Sequence, residues 1–395
     1  MAQNDVDFDF KSLLFYHYFL PSLPPPHPSL EKTFHEALAT SLRLYGRIRV
    51  SPEGLNVVLT GPSSDLCRYL TLLNTRGKEM GWLLSDIEAK WGEMRPDLDA
   101  SVQLFKTLKV QECSEVVSLV VPVAPLNPQK KRGRRKPKFK GTQAPPTPTE
   151  EERLPPPPPP TNPNPNPNPP TNTKLTPTEW HAALSSSLPP NSVLLDTRNV
   201  YESNIGRFEL PENGNPNITV LTNTRQFSTI KSTFEALAPQ LENKSVYMYC
   251  TGGVRCEVAS KALIEMIPLV SSVTSLDGGI CKYMDSYGRL AQPQQNQQKS
   301  LFRGKNFVFD PRRFDPNTSG DTDFDIVGRC VVCDCSHDDY DNGKSYHANN
   351  ERRCHDCRVL VLVCTSCSKE MEMVGCAQGG GGCSVKLGQN LFEVI

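Results

Sequence analysis

The sequence predicts an α/β protein in which a parallel sheet with flanking helices carries the functional site and a smaller α+β domain precedes it. Two observations lead to this prediction. From about residue 175 onward, short apolar runs alternate with segments of helical pattern, which is typical of parallel sheets covered by helices. Before residue 122, strand-like and helix-like segments follow the order βαββαβ, which is the ferredoxin-like plan.

The first predicted domain covers residues 1–122. Its strand patterns are short apolar runs, and its helix patterns carry apolar residues at helical spacing. A turn signal, Ser51-Pro52-Glu53-Gly54, joins two of the strands. The strand patterns lie at residues 13–20, 46–50, 55–60, 104–108 and 116–121, and the helix patterns lie at residues 30–44 and 65–73.

Residues 123–174 are predicted to form a linker, because they hold 17 of the 36 prolines of the chain. Within this stretch, Lys130 to Lys140 contains eight basic residues and no acidic one. Three interpretations of this run remain open: a solvated charge run, a nuclear import signal, or an arm that binds RNA phosphates.

Composition limits the function classes. Lysine plus arginine equals aspartate plus glutamate at 43 each, so overall charge indicates no particular partner. No apolar run has the length of a membrane span, and the run at residues 13–20 is a poor secretory signal. We therefore expect no membrane association and a cytoplasmic protein, or a nuclear one if the basic run is an import signal.

The second domain is expected at residues 175–295. Thr176, Pro177 and Glu179 form a helix start with a capping box. Strand patterns at residues 193–196, 245–249 and 273–276 alternate with helix patterns. Sites in parallel sheets lie at the carboxyl ends of the strands. Asp196 and Cys250 both stand at such ends.

The segment Cys250-Thr251-Gly252-Gly253-Val254-Arg255 is the strongest functional signal. Backbone amides converge where a strand turns into a helix, and with Arg255 they favour a thiolate at Cys250. Gly252 and Gly253 let the backbone curl around the sulfur. The alternative interpretation is a buried structural cysteine. Only four residues separate Cys250 from Arg255, and this ring suits the sulfur of a persulfide better than a phosphate.

This spacing resembles the rhodanese family of sulfurtransferases, and other segments extend the resemblance. The stretch around Cys250, YCTGGVRCEVAS, looks like the branch of rhodaneses that hydroxylate uridine in tRNA, whose members also carry an N-terminal ferredoxin-like or acylphosphatase-like domain. Two departures are Asn306, where the family usually has cysteine, and residues 209–229, which read as an irregular insertion. The other similar segments are residues 196–202 with 205–208, residues 275–280 with 282–283, residues 46–50 with 53–56, and residues 303–310.

The resemblance implies a rhodanese-type fold for the second domain and an enzyme that acts on tRNA. The implied reaction is oxygen-dependent 5-hydroxylation of the wobble uridine, with Cys250 as the catalytic thiol and Arg255 stabilising it. Thr251, Gly252, Gly253 and Val254 would form the anion loop. Asp196, Arg198 and Cys256 would support the site, Asp196 and Arg198 as an ion pair and Cys256 either as a resolving thiol or by packing.

Two other functions remain open at this point. The first is a plain sulfurtransferase, in which Cys250 takes sulfur from a donor, carries it as a persulfide and passes it to an acceptor. The second is a non-enzymatic, zinc-containing binding module in which the loop only holds an anion.

The last region, residues 296–395, is predicted to be a small zinc-ribbon-like region. Nine of the 14 cysteines lie there, several in pairs, which in a reducing compartment indicates metal binding and not disulfides. Two pairs at the spacing of a zinc ribbon predict a structural four-cysteine zinc site. A third pair either replaces the second or forms another site with Cys376 and Cys383. The predicted ligands are Cys330, Cys333, Cys354 and Cys357, and the third pair is Cys364 and Cys367.

Overall fold

The structure is a computed structural model, and it describes most of the chain outside the proline-rich stretch. Close contacts join residues 1–120 and 170–395 into one compact unit. No helix among the described residues has the length and apolar character needed to cross a bilayer. The described residues are 9–19, 26–83, 85–95, 98–117, 170–186, 188–210, 218–288, 298–316, 326–340, 353–354 and 359–370.

The N-terminal domain is a five-stranded sheet in the order β4-β1-β3-β2-β5, with two long helices. The first four of these strands have the order and antiparallel pairing of the ferredoxin-like plan, and β5 adds to β2 in parallel. Side chains such as Leu13, Phe15 and Val57 are fully buried or nearly so in the core. The elements are β1 Phe10–Tyr18, α1 Pro28–Ser41, β2 Tyr45–Ser51, β3 Gly54–Pro62, α2 Ser63–Glu79, β4 Lys90–Gly92, α3 Ala100–Gln103 and β5 Leu108–Glu112.

The second domain is a parallel five-stranded sheet in the order β6-β11-β10-β7-β9. The middle residues of its interior strands β7 and β10 are apolar or aromatic, as in sheets that are covered on both faces. The elements are β6 Thr171–Leu175, α4 Pro177–Ser185, β7 Ser192–Asp196, α5 Val200–Ser203, β8 Gly206–Phe208, β9 Ile218–Leu221, a 3-10 helix Phe227–Thr229, α6 Ile230–Leu241, β10 Ser245–Tyr249, α7 Val254–Met266, β11 Ser272–Leu276 and α8 Gly279–Tyr287.

The predicted α/β class, with a preceding ferredoxin-like domain, is confirmed, but three local predictions differ from the structure. Residues 171–174, assigned to the linker, form part of edge strand β6, whose polar side chains gave no apolar pattern. Residues 209–229 are not wholly irregular, because Ile218–Leu221 forms edge strand β9. The strand predicted at residues 104–108 begins only at Leu108, after the short helix α3.

The last region begins with β12, Phe302–Gly304, which pairs with β8. The chain then makes loops and isolated bridges before the short helix α9, Thr365–Glu370. Two small apolar clusters, one around Val361 and the other around Leu360, pack this region against α5 and the segment that follows it. In the described part of this cysteine-rich region, the apolar packing consists of these two small clusters.

The N-terminal domain packs against the segment that follows β12. The Asp310 carboxylate binds the Arg312 guanidinium at 2.6 Å and accepts a hydrogen bond from Ser12 of β1. Arg312 donates in turn to the carbonyl of Glu93, and Arg95 donates to the carbonyl of Arg312. Both members of the ion pair are buried. A buried charge network therefore joins the first domain to the last region.

Candidate active site

The loop after β10 places Cys250 at the carboxyl end of the sheet and begins α7 at Val254. The Gly253 amide donates a hydrogen bond to the Cys250 sulfur at 3.1 Å. Gly253 has a φ of +87°, which glycine adopts at low cost and other residues adopt rarely. The loop therefore directs a main-chain donor at the sulfur.

The surroundings of Cys250 favour the thiolate. Burial raises the pKa of this thiol, but hydrogen bonds from Cys256 and the positive charge of Arg255 outweigh burial and lower the pKa to about 5. The pKa of Cys256 moves the other way, because it is buried and lies beside the Cys250 thiolate. Of the two neighbouring thiols, Cys250 is thus the one that ionises first.

Arg255 is held by a carboxylate. Its guanidinium makes two hydrogen bonds of 2.7 Å to the two oxygens of Glu202, and it also donates to Thr251 Oγ1. Glu202 is fully buried on α5, so the pair is a bidentate contact shielded from water. Arg255 is oriented by Glu202 and affects Cys250 through its charge.

A second buried ion pair braces the end of β7. Arg198 contacts the Asp196 carboxylate at 2.7 Å and donates to the carbonyl of Gly206, while Ser203 donates to Asp196. The side chains of Asp196 and Arg198 have no solvent exposure. These contacts fix the loop that carries α5 and therefore the position of Glu202.

The N-terminal domain covers the loop. Lys90 of β4 donates a hydrogen bond to the carbonyl of Gly252, and a Cβ placed on Gly252 would lie 3.5 Å from the Tyr16 ring of β1. Tyr16 and Lys90, together with Gly252, Gly253 and Gly278, line a cavity of about 190 Å³. Residues of both domains therefore line this cavity beside the loop.

Two further thiols lie near Cys250. Cys256 is buried and contacts Thr197 Oγ1 at 3.6 Å, besides its hydrogen bond to Cys250. Cys281, at the start of α8, lies 3.7 Å from the side-chain nitrogen of Asn306. Burial raises the pKa of the Cys281 thiol to about 12, so it stays protonated. Asn306, the predicted departure, therefore contacts a protonated thiol beside the site.

The structure places four sulfurs of the cysteine-rich region within 4.8 Å of one another: those of Cys330, Cys333, Cys335 and Cys364. Cys333 and Cys364 are 3.7 Å apart. A tetrahedral zinc ion with Zn–S distances of about 2.3 Å separates its sulfurs by roughly 3.8 Å. Cys367 also makes sulfur contacts to Cys333 and Cys364. The donor set fits a metal ion that prefers thiolates.

This cluster includes only part of the predicted ligand set. Cys330 and Cys333 are in it, and the third pair, Cys364 and Cys367, lies beside them, in line with the alternative that this pair replaces the second. Cys354 is buried among apolar side chains that include Val359 and Val361. Cys357, Cys376 and Cys383 lie outside the described residues. Cys335, two residues beyond the paired Cys333, was not predicted as a ligand.

Sequence reasoning also missed Glu202, Tyr16 and Lys90 as parts of the active site. Glu202 lies in residues 196–202, one of the segments that carried the resemblance, but the sequence assigned no function to its carboxylate. Lys90 and Tyr16 come from the other domain, and Lys90 lies 162 residues from its partner Gly252 in the chain. Neither has a local pattern that distinguishes it from an ordinary strand residue.

Comparisons with known proteins agree with this architecture. The family model described as UPF0176 acylphosphatase like domain matches residues 10–116, and the one described as Rhodanase C-terminal matches residues 303–380. The predicted resemblance is confirmed. The two matched regions lie on either side of the sheet domain.

Three relatives are similar over most of this chain. A tRNA uridine(34) hydroxylase of Rhodococcus erythropolis is 29% identical over 92% of this chain and 98% of its own length. One of Chlamydia muridarum is 26% identical over 90% of this chain and 81% of its own length. Rhodanese-like domain-containing protein 6 of Arabidopsis thaliana is 29% identical over 92% of this chain, which spans about half, 52%, of that protein. Two of these relatives are named as hydroxylases and the third as a rhodanese-like protein, in agreement with the predicted enzyme class.

Proposed function

We propose that this protein hydroxylates C5 of the uridine at position 34 of tRNA, with molecular oxygen as co-substrate. One oxygen atom enters the C5–H bond, and the other leaves as water after taking up two electrons and two protons from a reductant. The observation that carries the proposal is similarity to named tRNA uridine(34) hydroxylases along nearly the whole chain, including both regions that flank the sheet domain.

The geometry of the loop supports a direct role for Cys250. Its sulfur accepts a hydrogen bond from the Gly253 amide, and the positive charge of Arg255 lies close by. A thiolate is the nucleophilic form of cysteine, and it exists at neutral pH because of these neighbours. In this proposal Cys250 is the catalytic residue, Arg255 sustains its charge, and Thr251 to Val254 form the loop.

The supporting residues act through position. Glu202 orients Arg255, and the Asp196–Arg198 pair fixes the segment that carries Glu202. Tyr16 and Lys90 form the other wall of the cavity at the loop, so the N-terminal domain helps to shape the space for the uracil ring. A site closed by two domains excludes water from the reacting atoms.

The test is mass spectrometry of tRNA nucleosides from cells that lack the gene and carry either the wild-type chain, the Cys250→Ala variant or the Cys67→Ala variant. Cys67 is exposed on α2, outside the site. We expect 5-hydroxyuridine or its derivatives with the wild type and with Cys67→Ala, and none with Cys250→Ala. Equal levels in all three strains would overturn the proposal.

A second candidate is sulfur transfer through a Cys250 persulfide, and the amide and Arg255 charge around the sulfur are the observations in its favour. The Cys250 thiolate would attack the terminal sulfur of a sulfane-sulfur donor, break its S–S bond and release the rest of the donor, which is sulfite when the donor is thiosulfate. A thiol or cyanide would then take the outer sulfur of the persulfide and restore the thiolate. Thiosulfate with cyanide gives thiocyanate in this reaction. Formation of thiocyanate by wild type and by Cys250→Ala at equal rates would exclude it.

We propose that the cysteine cluster binds a structural zinc ion. Four thiolates fill a tetrahedral shell and leave no open position, which is the pattern of structural and not of catalytic zinc. The Cys330 sulfur accepts a hydrogen bond from the Cys364 amide at 3.3 Å. This bond connects the first cysteine pair, Cys330 and Cys333, to the segment before α9. The ion would hold together a region that has little apolar core.

The zinc content of cysteine variants distinguishes the four ligands predicted from the sequence from the four cysteines clustered in the structure. We expect Cys364→Ser to lose about one zinc per chain and to lower the melting temperature, because a structural site supplies folding free energy. If the cluster alone holds the ion, Cys354→Ser keeps the metal. Atomic absorption on the purified proteins measures this, with Cys67→Ser as the control. Full zinc in Cys364→Ser would contradict the cluster as the site.

A tRNA substrate accords with the predicted cytoplasmic localisation, which stays a prediction. Nuclear import or RNA binding through Lys130 to Lys140 also stays a prediction, since that run lies outside the described residues.

A further inference from the structure

A second cavity lies beside the candidate active site, and both arginines and aromatic residues line it. It has a volume of about 470 Å³, which is in the range of ligand pockets. Its lining comes from three parts of the chain: the sheet domain, the segment after β12 and the cysteine-rich region. It contains three arginines, Arg225, Arg313 and Arg353, and three aromatic residues, Tyr201, Phe307 and Phe309.

The charges in this cavity are of one sign. None of the described residues that line it is acidic, while Arg225 and Arg353 are exposed to solvent. Arginine guanidinium groups bind phosphate oxygens through two parallel hydrogen bonds. Guanidinium groups from three separate segments therefore favour a ligand that carries phosphate groups.

The aromatic residues form a wall next to these charges. The rings of Tyr201 and Phe307 are 5.1 Å apart, and those of Phe307 and Phe309 are 5.4 Å apart. Phe309 is 48% exposed, whereas Phe307 is buried. An exposed ring backed by a buried ring offers a flat, rigid face on which a planar group can stack.

The cavity is linked to the catalytic loop through direct contacts. The Arg255 guanidinium carbon lies 5.6 Å from the centre of the Phe309 ring, and Tyr201 directly precedes Glu202, the partner of Arg255. A ligand that stacks on Phe309 would therefore lie close to Arg255, the residue whose charge stabilises the Cys250 thiolate.

We propose that this cavity binds a nucleotide next to the target uridine on the tRNA strand, with its base on Phe309 and its phosphate on Arg225 and Arg353. This inference rests on the proposed function. An RNA strand presents one phosphate and one planar ring per nucleotide, which matches the pairing of guanidinium groups and aromatic rings in the lining. An acidic peptide would also use the arginines, but its chain does not pair a planar ring with a negative charge at every unit, as RNA does.

Binding of a full-length tRNA with uridine at position 34, measured by fluorescence anisotropy over a series of potassium chloride concentrations, tests the phosphate contacts. We expect Arg225→Ala and Arg353→Ala each to weaken binding roughly tenfold. Each should also reduce the slope of log affinity against log salt by about 0.7 to 0.9. Arg68→Ala is the matched control, because Arg68 is exposed on α2 and does not line the cavity.

The ring contact has a separate test. Phe309→Leu keeps an apolar side chain but removes the flat face, and we expect about a tenfold loss of tRNA affinity with an unchanged salt slope. In Phe309→Trp, stacking of a base should quench the indole fluorescence when tRNA is added. A lack of quenching together with wild-type affinity of Phe309→Leu would overturn the stacking contact.

These outcomes are distinguishable from those of the hydroxylation test. If wild type hydroxylates tRNA but the arginine variants bind with wild-type affinity and slope, the cavity is not an RNA site and the proposed function stands. The same conclusion follows if Arg68→Ala weakens binding as much as Arg225→Ala. If the arginine variants lose affinity but wild type does not hydroxylate, the binding site stands and the proposed reaction fails.

Discussion

At the residue scale, the proposed reaction depends on the ionisation of one thiol, that of Cys250. The pKa of Cys250 is lowered to about 5, against about 8.5 for a free cysteine. Because the folded-state pKa is depressed, the thiolate is present throughout the neutral range and is lost only as pH falls through about 5.

We therefore predict that the absorbance of Cys250 at 240 nm, taken as wild type minus Cys250→Ser, stays constant from neutral pH downward and decreases around pH 5. This measurement needs no reagent to reach the buried sulfur. A transition between pH 8 and 9, at about the value of a free thiol, would show that the loop does not stabilise the anion.

The partner of Arg255 gives a second prediction at this scale. Glu202→Gln leaves a mostly buried guanidinium without its carboxylate, so we expect the free energy of unfolding to fall by about 3 to 5 kcal/mol. Glu257→Gln is the matched control, because Glu257 pairs with Lys174 at the surface, where both side chains are at least 40% exposed. That change should cost about 1 kcal/mol or less. Urea unfolding measures both, and equal losses would contradict the bracing role of Glu202.

At the scale of elements, the start of α8 fits tightly against the catalytic loop. The amides of Ile280 and Cys281 donate to the carbonyls of Cys250 and Thr251, so the loop supplies acceptors to the first turn of the helix. Gly279 has a φ of +65°, and a Cβ there would lie 2.5 Å from the Cys250 carbonyl oxygen. The first turn of α8 can therefore pack against the loop only because residue 279 has no side chain.

Gly279→Ala should destabilise the protein by about 2 kcal/mol or more and abolish the activity of Cys250, because both the backbone strain and the clash act on the loop. Gly252→Ala is the control, since its Cβ would meet the flexible end of Lys90 at 3.3 Å. It should cost about 1 kcal/mol or less. Thermal unfolding compares the stability of the two variants, and equal losses would be evidence against the tight fit. The tRNA assay applies to Gly279→Ala alone.

Elements with an apolar pattern were predictable from the sequence, and polar edge elements were not. Strands β7 and β10 are buried on both faces, so their sequences are continuous apolar runs. Strand β6 is polar because it lies at the edge of the sheet, and only pairing with β11 makes it a strand. Propensity cannot show such pairing, because it depends on the neighbouring strand.

At the scale of the whole molecule, a buried charge network fastens the N-terminal domain over the site. The Asp310 carboxylate accepts a hydrogen bond from Ser12 of the first domain and forms an ion pair with Arg312. The Arg312 guanidinium also donates to the Glu93 carbonyl. The loop itself was predictable from local residues, whereas this contact was not, because its members lie as much as 298 residues apart in the chain.

Asp310→Asn should weaken the docking of the two domains and lower the free energy of unfolding by about 3 to 5 kcal/mol, because Arg312 stays buried without its carboxylate. Asp86→Asn, in an exposed pair with Lys78, should change it by about 1 kcal/mol or less. An inserted protease site between residues 130 and 140 separates docking from stability. After cleavage we expect the two fragments to co-elute in gel filtration for the control and to separate for Asp310→Asn. Co-elution in both would contradict the role of the network.

The full burial of the Cys250 sulfur has a consequence for its lifetime. Thiolates react readily with peroxide, and the rate depends on access as well as on charge. Any reagent, peroxide included, therefore needs the side chains around the sulfur to move apart before it reaches the thiolate. We expect the resting protein to resist oxidation at Cys250 and, under the proposed function, to become sensitive to peroxide while it turns over tRNA.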